Sequence, residues 1–325
     1  MFRNPLKGLI KSFIPSRFIK SYRSIFGSTN YKISLHNQKV IDKLRDQKVI
    51  ELSVLPPPES PLSFINSKGI PQPISFFPDD YIGKNILFYH SGNDPSLLLS
   101  ITELAEKLSL KEVTLFDVGA NIGLFSRQLK KSLGSRLQNI NAFEPHPENF
   151  RLLSKNLESI HGVSLHNFGL SYKDEIIKLN IDSRNTGNYS FVESAIKKHQ
   201  FGGYEEASVR NVYKVMEELC KDLPGPFIYK SDTQGFDQLI ACSIPTWFWE
   251  KVSIAVFELW RLPLSNSNSY KTESFEKIIS RFSNLRFKRN FDVPVSVKDV
   301  VKFLSYSDYK HDDLIAWGVH PVSNS

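Results

Sequence analysis

Four carboxylates, Asp117, Glu144, Asp232 and Glu258, each stand at or near the carboxyl end of an apolar run, and two glycines, Gly119 and Gly123, follow the first of them. Ligands of an open α/β sheet bind outside the carboxyl ends of its strands, so the pattern brings all four acids to one crevice. Acids grouped in this way accept hydrogen bonds from amines and hydroxyls, and one of them can take up a proton. Stability alone is a poor explanation for four such tips. Taken singly, Asp232 and Glu258 are as readily explained as capping or hydrogen-bonded groups.

The first acid opens Asp117-Val118-Gly119-Ala120-Asn121-Ile122-Gly123. The glycines permit positive φ and close approach of another molecule to the backbone. Ile122, Leu124, Phe125 and Leu129 then resume at helical spacing, so the turn is expected to present free N–H groups at a helix start. Its glycine spacing differs from the Gly-x-Gly-x-x-Gly dinucleotide fingerprint. The leading carboxylate would repel a pyrophosphate and welcome an amino group or hydroxyls, which points away from NAD and towards S-adenosylmethionine. Glu144 ends the next run, 25 residues after Gly119. That is close to the roughly 20 expected of an acid that accepts hydrogen bonds from both ribose hydroxyls.

These residues need strands to hold them. Runs at 113–118, 140–145, 163–170, 227–232 and 253–259 alternate with helical patterns at 121–133, 147–160 and 209–219 and after Asp237. Such alternation predicts an α/β fold with a parallel sheet and helices on both faces. Residues 176–181 read as an added edge strand and 182–188 as a loop. A helix at 274–282 and strands at 285–288 and 314–319 would close the sheet with a terminal hairpin.

Upstream, a helix is expected at 96–108, leading into the first strand. Residues 41–95 are interrupted by Pro56, Pro57, Pro58, Pro61, Pro71, Pro73 and Pro78. They read as an extended connector with short edge strands, packed on the main domain of 96–325 through Phe76, Phe77, Ile86, Leu87, Phe88 and Tyr89. Residues 1–40 form a third region, a basic arm with eight Lys and Arg and no acid. The whole chain of 325 residues carries +7, so the other 285 residues sum to −1. Leu6, Ile10 and Phe13, then Phe18, Ile19, Tyr22, Ile25 and Phe26, fall at helical spacing. Two short basic amphipathic helices in 1–27 could lie on an anionic membrane surface, where each Lys or Arg contributes about 1 kcal/mol. A flexible or core-docked arm is an equal alternative.

The near-neutral remainder argues against nucleic-acid modification, which needs a clustered basic surface. No run of 18 or more apolar residues is present, which argues against a transmembrane helix. Two cysteines, Cys220 and Cys242, are too few for a zinc cluster and fit a reducing, cytoplasmic compartment. Contact of the arm with the inner membrane surface would be peripheral. The oligomeric state is left open.

Three blocks carry a family resemblance: Phe116-Asp117-Val118-Gly119-Ala120-Asn121-Ile122-Gly123, then Phe143-Glu144-Pro145-His146-Pro147-Glu148-Asn149-Phe150, then Lys230-Ser231-Asp232-Thr233-Gln234-Gly235-Phe236-Asp237. Over residues 111–260 the chain resembles the FkbM-type S-adenosylmethionine-dependent methyltransferases. The third block departs from the family's Lys-Ile-Asp-Val-Glu-Gly-x-Glu, with Gln234 where the family has an acid. The resemblance implies a Rossmann-like class I methyltransferase fold with a seven-stranded sheet, and methylation of an oxygen, often a hydroxyl of a sugar, polyketide or lipid-like acceptor. On that footing Gly119, Ala120, Asn121 and Gly123 form the cofactor turn, Asp117 supports the methionine amino group, Glu144 holds the ribose, and Gly169 and Leu170 border the adenine. Asp232 is the favoured base for the acceptor hydroxyl, with His146 and Glu258 as further candidates. A lone histidine is more often a surface or hydrogen-bonded residue. Asp232 with Glu258 could instead hold Mg2+. The acceptor would meet the 185–204 loop and the residues around Trp260, where Asn185, Asn188, Tyr189, Tyr204 and Trp260 could contact a sugar-like ligand, although ordinary packing explains them equally well. A different class of reading is a catalytically inactive binding or assembly protein on the same fold, motivated by the altered third block.

Overall fold

The computed structural model describes residues 51–89, 94–260, 272–306 and 311–319. The basic arm of 1–40, including the stretch 1–27 expected to form amphipathic helices, and the first ten residues of the connector lie outside the described residues.

Four short strands come first: β1 Leu52–Val54, β2 Phe64–Ile65, β3 Pro71–Gln72 and β4 Ile74–Phe76. Helices α1 Tyr81–Tyr89 and α2 Pro95–Lys107 follow. The sheet then opens with β5 Val113–Val118, α3 Leu124–Leu133, β6 Leu137–Phe143, α4 Pro147–Leu157 and β7 Val163–His166. Beyond it come β8 Gly169–Ser171, β9 Glu175–Asp182, β10 Phe201–Asn211, α5 Val212–Cys220 and β11 Phe227–Ser231. The chain continues through α6 Asp237–Ser243, α7 Thr246–Lys251, β12 Val252–Trp260, α8 Thr272–Ile279, β13 Phe282–Phe287, α9 Val297–Tyr306 and β14 His311–Val319.

The main sheet has seven strands in the order β7-β6-β5-β11-β12-β14-β13. The first five pair in parallel, while β14 runs antiparallel to both β12 and β13. Chain order reverses between β5 and β11, and at such a switch point the helices depart to opposite faces and leave a crevice at the strand tips. All six residues of β5 are buried, as a strand covered on both faces requires. Phe116 and Val118 enter one apolar layer with α5 to α9, whereas Val113 and Leu115 enter the other with α2, α3 and α4. Asp117 shares the face of the second layer.

A helix at 96–108, the five parallel strands and the final antiparallel pair were all expected. Four readings are corrected. Residues 163–170 are two strands in two sheets: β7 lies in the main sheet and β8 pairs with β10. Residues 176–181 belong to β9, in a separate sheet of order β8-β10-β9, and do not edge the main one. Residues 201–211 are a strand, so the helix expected from 209 starts at Val212. The last two strands are neighbours but are joined through α9, with no hairpin turn between them.

The proline-rich connector does contain short strands, but its 81–89 stretch is helical. Ile82 and Ile86 of α1 are buried with Leu62, Ile74, Phe76, Ile122, Leu124 and Leu152 in a third apolar cluster. The segment is fixed by polar clamps as well. Asn156 on α4 receives the Ser75 N–H and donates to the Ser75 and Ile122 carbonyls. Arg127 on α3 is buried and donates to the Leu62, Gln72 and Asn156 carbonyls. Among the described residues, no helix is long and apolar enough to cross a membrane.

Candidate cofactor and catalytic site

The tips of β5 and β6 meet through a turn that uses up its own donors. The Gly119 and Ala120 N–H groups both bond to the Phe143 carbonyl at 3.0 and 2.9 Å. The Asn121 N–H donates to Glu144 Oε2 at 2.9 Å, the Ile122 N–H to Asn121 Oδ1 at 2.8 Å, and the Gly123 N–H to the Ala120 carbonyl at 2.9 Å. The expectation of free N–H groups is therefore overturned: the turn closes on the tip of β6 and offers nothing to a phosphate.

Gly119 has φ +75°, and a Cβ there would collide with the Asp232 carbonyl oxygen, so only glycine lets the β5 and β11 tips approach. Gly123, at φ +83°, has its back to Leu153 and Leu157. Asn121 also sits at positive φ, +51°, a conformation that asparagine adopts more readily than other residues with a Cβ.

A cavity opens at this turn. The sequence-predicted Gly119, Asn121, Glu144, Gly169, Leu170, Asp232 and Tyr189 line it. Thr186, Gly187 and Phe191, from the loop expected to meet the acceptor, also line it, as do Thr233 and Leu179; no local pattern says that 179–191 folds over the β5 tip. Ala120 and Gly123 support the turn from behind and do not line the cavity.

Glu144 is buried at the cavity wall, and its second oxygen receives the His146 N–H at 3.0 Å. Burial pushes its carboxyl up to about 7, against the lowering effect of those two N–H groups. Asp232 is the accessible acid at the other wall, with 43% of its side chain exposed. Beside it Thr233 gives its backbone N–H to Asp237 at 3.1 Å, and its hydroxyl is a partner of the same carboxylate.

The other candidate acids and the histidine are placed elsewhere. Asp117 is fully buried, accepts the Ser126 hydroxyl at 2.7 Å and pairs with Lys230 at 3.1 Å. It is absent from the cavity lining, where direct support of an amino group would need it. The Lys230 ammonium also donates to the Gly119 carbonyl at 3.1 Å and lies 3.9 Å from Asp232. Burial works against its charge, but Asp117 and Asp232 more than reverse this and raise the lysine above its ordinary value. A buried charge needs such partners.

His146 is the cap of α4: Nδ1 accepts the Asn149 N–H at 3.4 Å, and Nε2 lies 3.3 Å from Glu205. Its ring packs edge-on against Tyr189. Burial lowers its pKa. With both nitrogens occupied away from the cavity, it is not placed to take a substrate proton.

Glu258 is buried and accepts two N–H groups from one residue, the Gln234 backbone at 3.1 Å and the Gln234 side chain at 3.0 Å. The same amide reaches Asp232 Oδ1 at 2.8 Å. Burial, then the neighbouring Asp232, Asp237 and Asp313, push Glu258 well above the usual carboxylate range. Glu258 does not line the cavity, where a base for the acceptor hydroxyl would have to stand. A neutral amide donor between the two carboxylates also removes the donor set on which the Mg2+ reading stood.

Of the side chains named for the acceptor, only Tyr189 reaches the cavity. Asn185 caps the Gly187 N–H, and Asn188 donates to Asp182. Tyr204 carries Lys178 on its ring at 4.1 Å, and Trp260 stacks on His311 at 4.7 Å.

Numbered within itself, the main sheet runs 3-2-1-4-5-7-6 with the last chain strand antiparallel, and a glycine turn and a buried acid stand at the tips of strands 1 and 2. This is the Rossmann-like fold of the class I methyltransferases. No family model matches the chain. A curated relative, the methyltransferase sdnD of Sordaria araneosa, is 29% identical over 170 residues, 44% of this chain and 65% of its own length. The match thus spans just under two thirds of that relative. Among solved structures, the chain is similar to the methyltransferase FkbM from Methylobacillus flagellatus KT, with TM-score 0.36 and 13% identity over 74% of this chain and 55% of that one. It is also similar to an O-methyltransferase from Bacillus cereus in complex with SAH, with TM-score 0.39 and 9% identity over 95% and 100%.

Proposed function

We propose that this chain is an S-adenosylmethionine-dependent O-methyltransferase acting on a hydroxyl of a small-molecule, sugar, glycan or lipid-linked acceptor. The observation that carries the reading is the chemistry left facing the cavity. Every N–H of 119–123 is consumed internally, while the Glu144 and Asp232 carboxylates remain at the cavity wall. Such a wall suits a cationic, hydroxyl-bearing nucleoside and rejects a pyrophosphate.

Glu144 would hold the ribose, Gly169 and Leu170 would border the adenine, and Asp232 and Thr233 would face the methionine end. When bound, the cofactor supplies an electrophilic methyl group. The chain then has two tasks, to hold an acceptor hydroxyl in line and to remove its proton. Asp232 is the accessible carboxylate for the second task, and Lys230 and Gln234 fix its orientation.

The test is a melting experiment followed by transfer. S-adenosylhomocysteine should raise the melting temperature and NAD should not. Labelled methyl groups should then appear on a member of a panel of glycans and lipid-linked glycans. Stabilisation by NAD alone would defeat the cofactor assignment. The Gln234 amide between Asp232 and Glu258 favours one other reading, a methyltransferase-fold binding protein without turnover, for which S-adenosylhomocysteine would bind and no panel member would be methylated. Peripheral membrane contact through 1–27 belongs to the same proposal. Deleting those residues should lower co-sedimentation with anionic vesicles, and unchanged co-sedimentation would end it.

A further inference from the structure

The cavity is roofed by the loop between β9 and β10, through Thr186, Gly187, Tyr189 and Phe191. The loop is anchored from outside the 111–260 block. Asp80, buried at the start of α1, accepts the Thr186 N–H on Oδ1 at 2.8 Å and the Thr186 hydroxyl on Oδ2 at 3.0 Å. Its Oδ2 also accepts the Ile82 N–H at 3.1 Å, so one carboxylate holds both the helix start and the loop. The Tyr81 N–H bonds to the Arg184 carbonyl, and Gly187 packs directly on Ile82.

The other side of Thr186 faces the cofactor turn. Its carbonyl accepts Asn121 Nδ2 at 2.9 Å and Asn149 Nδ2 at 3.3 Å. Asn121 in turn gives its backbone N–H to Glu144. A continuous polar chain therefore runs Asp80, Thr186, Asn121, Glu144, from the N-terminal segment to the proposed ribose acid. Buried polar links of this kind hold one geometry, since breaking any of them leaves a desolvated group unpaired.

We propose that Asp80 is a positioning residue of the cofactor site, acting through Thr186 to fix the roof loop and the side chain of Asn121. This rests on the cofactor reading given above. The connector is then part of the binding apparatus, and a ligand on Glu144 tightens α1 across the Asp80–Thr186 contact.

The experiment has a variant arm and a wild-type arm. Asp80→Asn keeps the size of the side chain and cannot accept both Thr186 donors, and Thr186→Val removes the hydroxyl alone. Each should weaken S-adenosylhomocysteine binding about tenfold by calorimetry. Each should also raise the KM for S-adenosylmethionine more than it lowers kcat, and Thr186→Ser should restore both. A purely structural role would lower the melting temperature without this split. In the wild type, S-adenosylhomocysteine should slow amide hydrogen exchange in α1 as well as in 182–189. Wild-type affinity in folded Asp80→Asn and Thr186→Val, or exchange in α1 that ignores the ligand, would overturn the proposal. A wild type that fails to bind S-adenosylhomocysteine at all would overturn the cofactor reading itself, and the proposal with it.

Discussion

Glu144 and Glu258 are both buried glutamates at strand tips, and each accepts two N–H groups. They differ in where those donors come from. The donors to Glu144 are backbone groups of two separate turns at the cavity wall, so the carboxylate is held from the sides and still faces the cavity. Those to Glu258 come mainly from Gln234, whose side chain lies between Glu258 and Asp232, with the Trp260 side chain as a further donor. The contrast teaches that neither burial nor hydrogen-bond number separates an acid that meets a ligand from one that supports a loop. The direction from which its partners arrive does. Asp117 makes the same point: it is the most buried of the four acids, and Lys230 and Ser126 take up its oxygens.

The contrast can be broken most severely at the seam of the two halves. Gly119→Ala would drive a Cβ into the Asp232 carbonyl at a positive φ, and should cost on the order of 4 kcal/mol together with most cofactor binding. Normal melting and normal affinity in that variant would show that the two tips need not approach. Asp232→Asn comes next. Loss of a general base lowers kcat by about 10²–10⁴. Affinity for S-adenosylhomocysteine should be nearly intact, and undiminished transfer would remove Asp232 from the mechanism.

Glu144→Ala should show the opposite split. Charge-assisted hydrogen bonds contribute about 1.5–3 kcal/mol each, so affinity should fall roughly tenfold to a hundredfold in calorimetry. Unchanged affinity would contradict the ribose assignment. The pH profile sharpens this last case. The ionised carboxylate is the better acceptor, and burial places its titration near 7. Affinity should therefore decline as pH falls below about 7, and Glu144→Gln should flatten that slope. In the ligand-free protein the sign is reversed. The folded state keeps the Glu144 proton to higher pH than the unfolded chain, whose ordinary value is 4.5, so this group's contribution to stability is lost as pH rises between the two.

The parallel strands were legible because buried strands read as continuous apolar runs, and their carboxyl-end acids follow from where those runs stop. The β10 strand was not, since Tyr204-Glu205-Glu206-Ala207-Ser208-Val209-Arg210 carries charges on an exposed face and resembles a loop. The break between β7 and β8 falls at Asn167, whose side chain donates to the Glu144 carbonyl, a contact that no local pattern announces. Strand positions allowed Asp117 and Glu144 to be read together. They could not reveal that Lys230 would turn inward to Asp117 or that Gln234 would bridge two acids, because both facts depend on contacts made only after the sheet has formed.

Arg127 gives the connector a different significance. Burial lowers its guanidinium to about 10, and its donors end on carbonyls of residues 62, 72 and 156. A chain cut to begin at residue 96 would keep this cation and lose two of the three carbonyls, leaving charge and N–H groups bare in an apolar setting. The contacts cross the division at 95, so a version that starts at residue 51 is expected to melt higher than one that starts at 96.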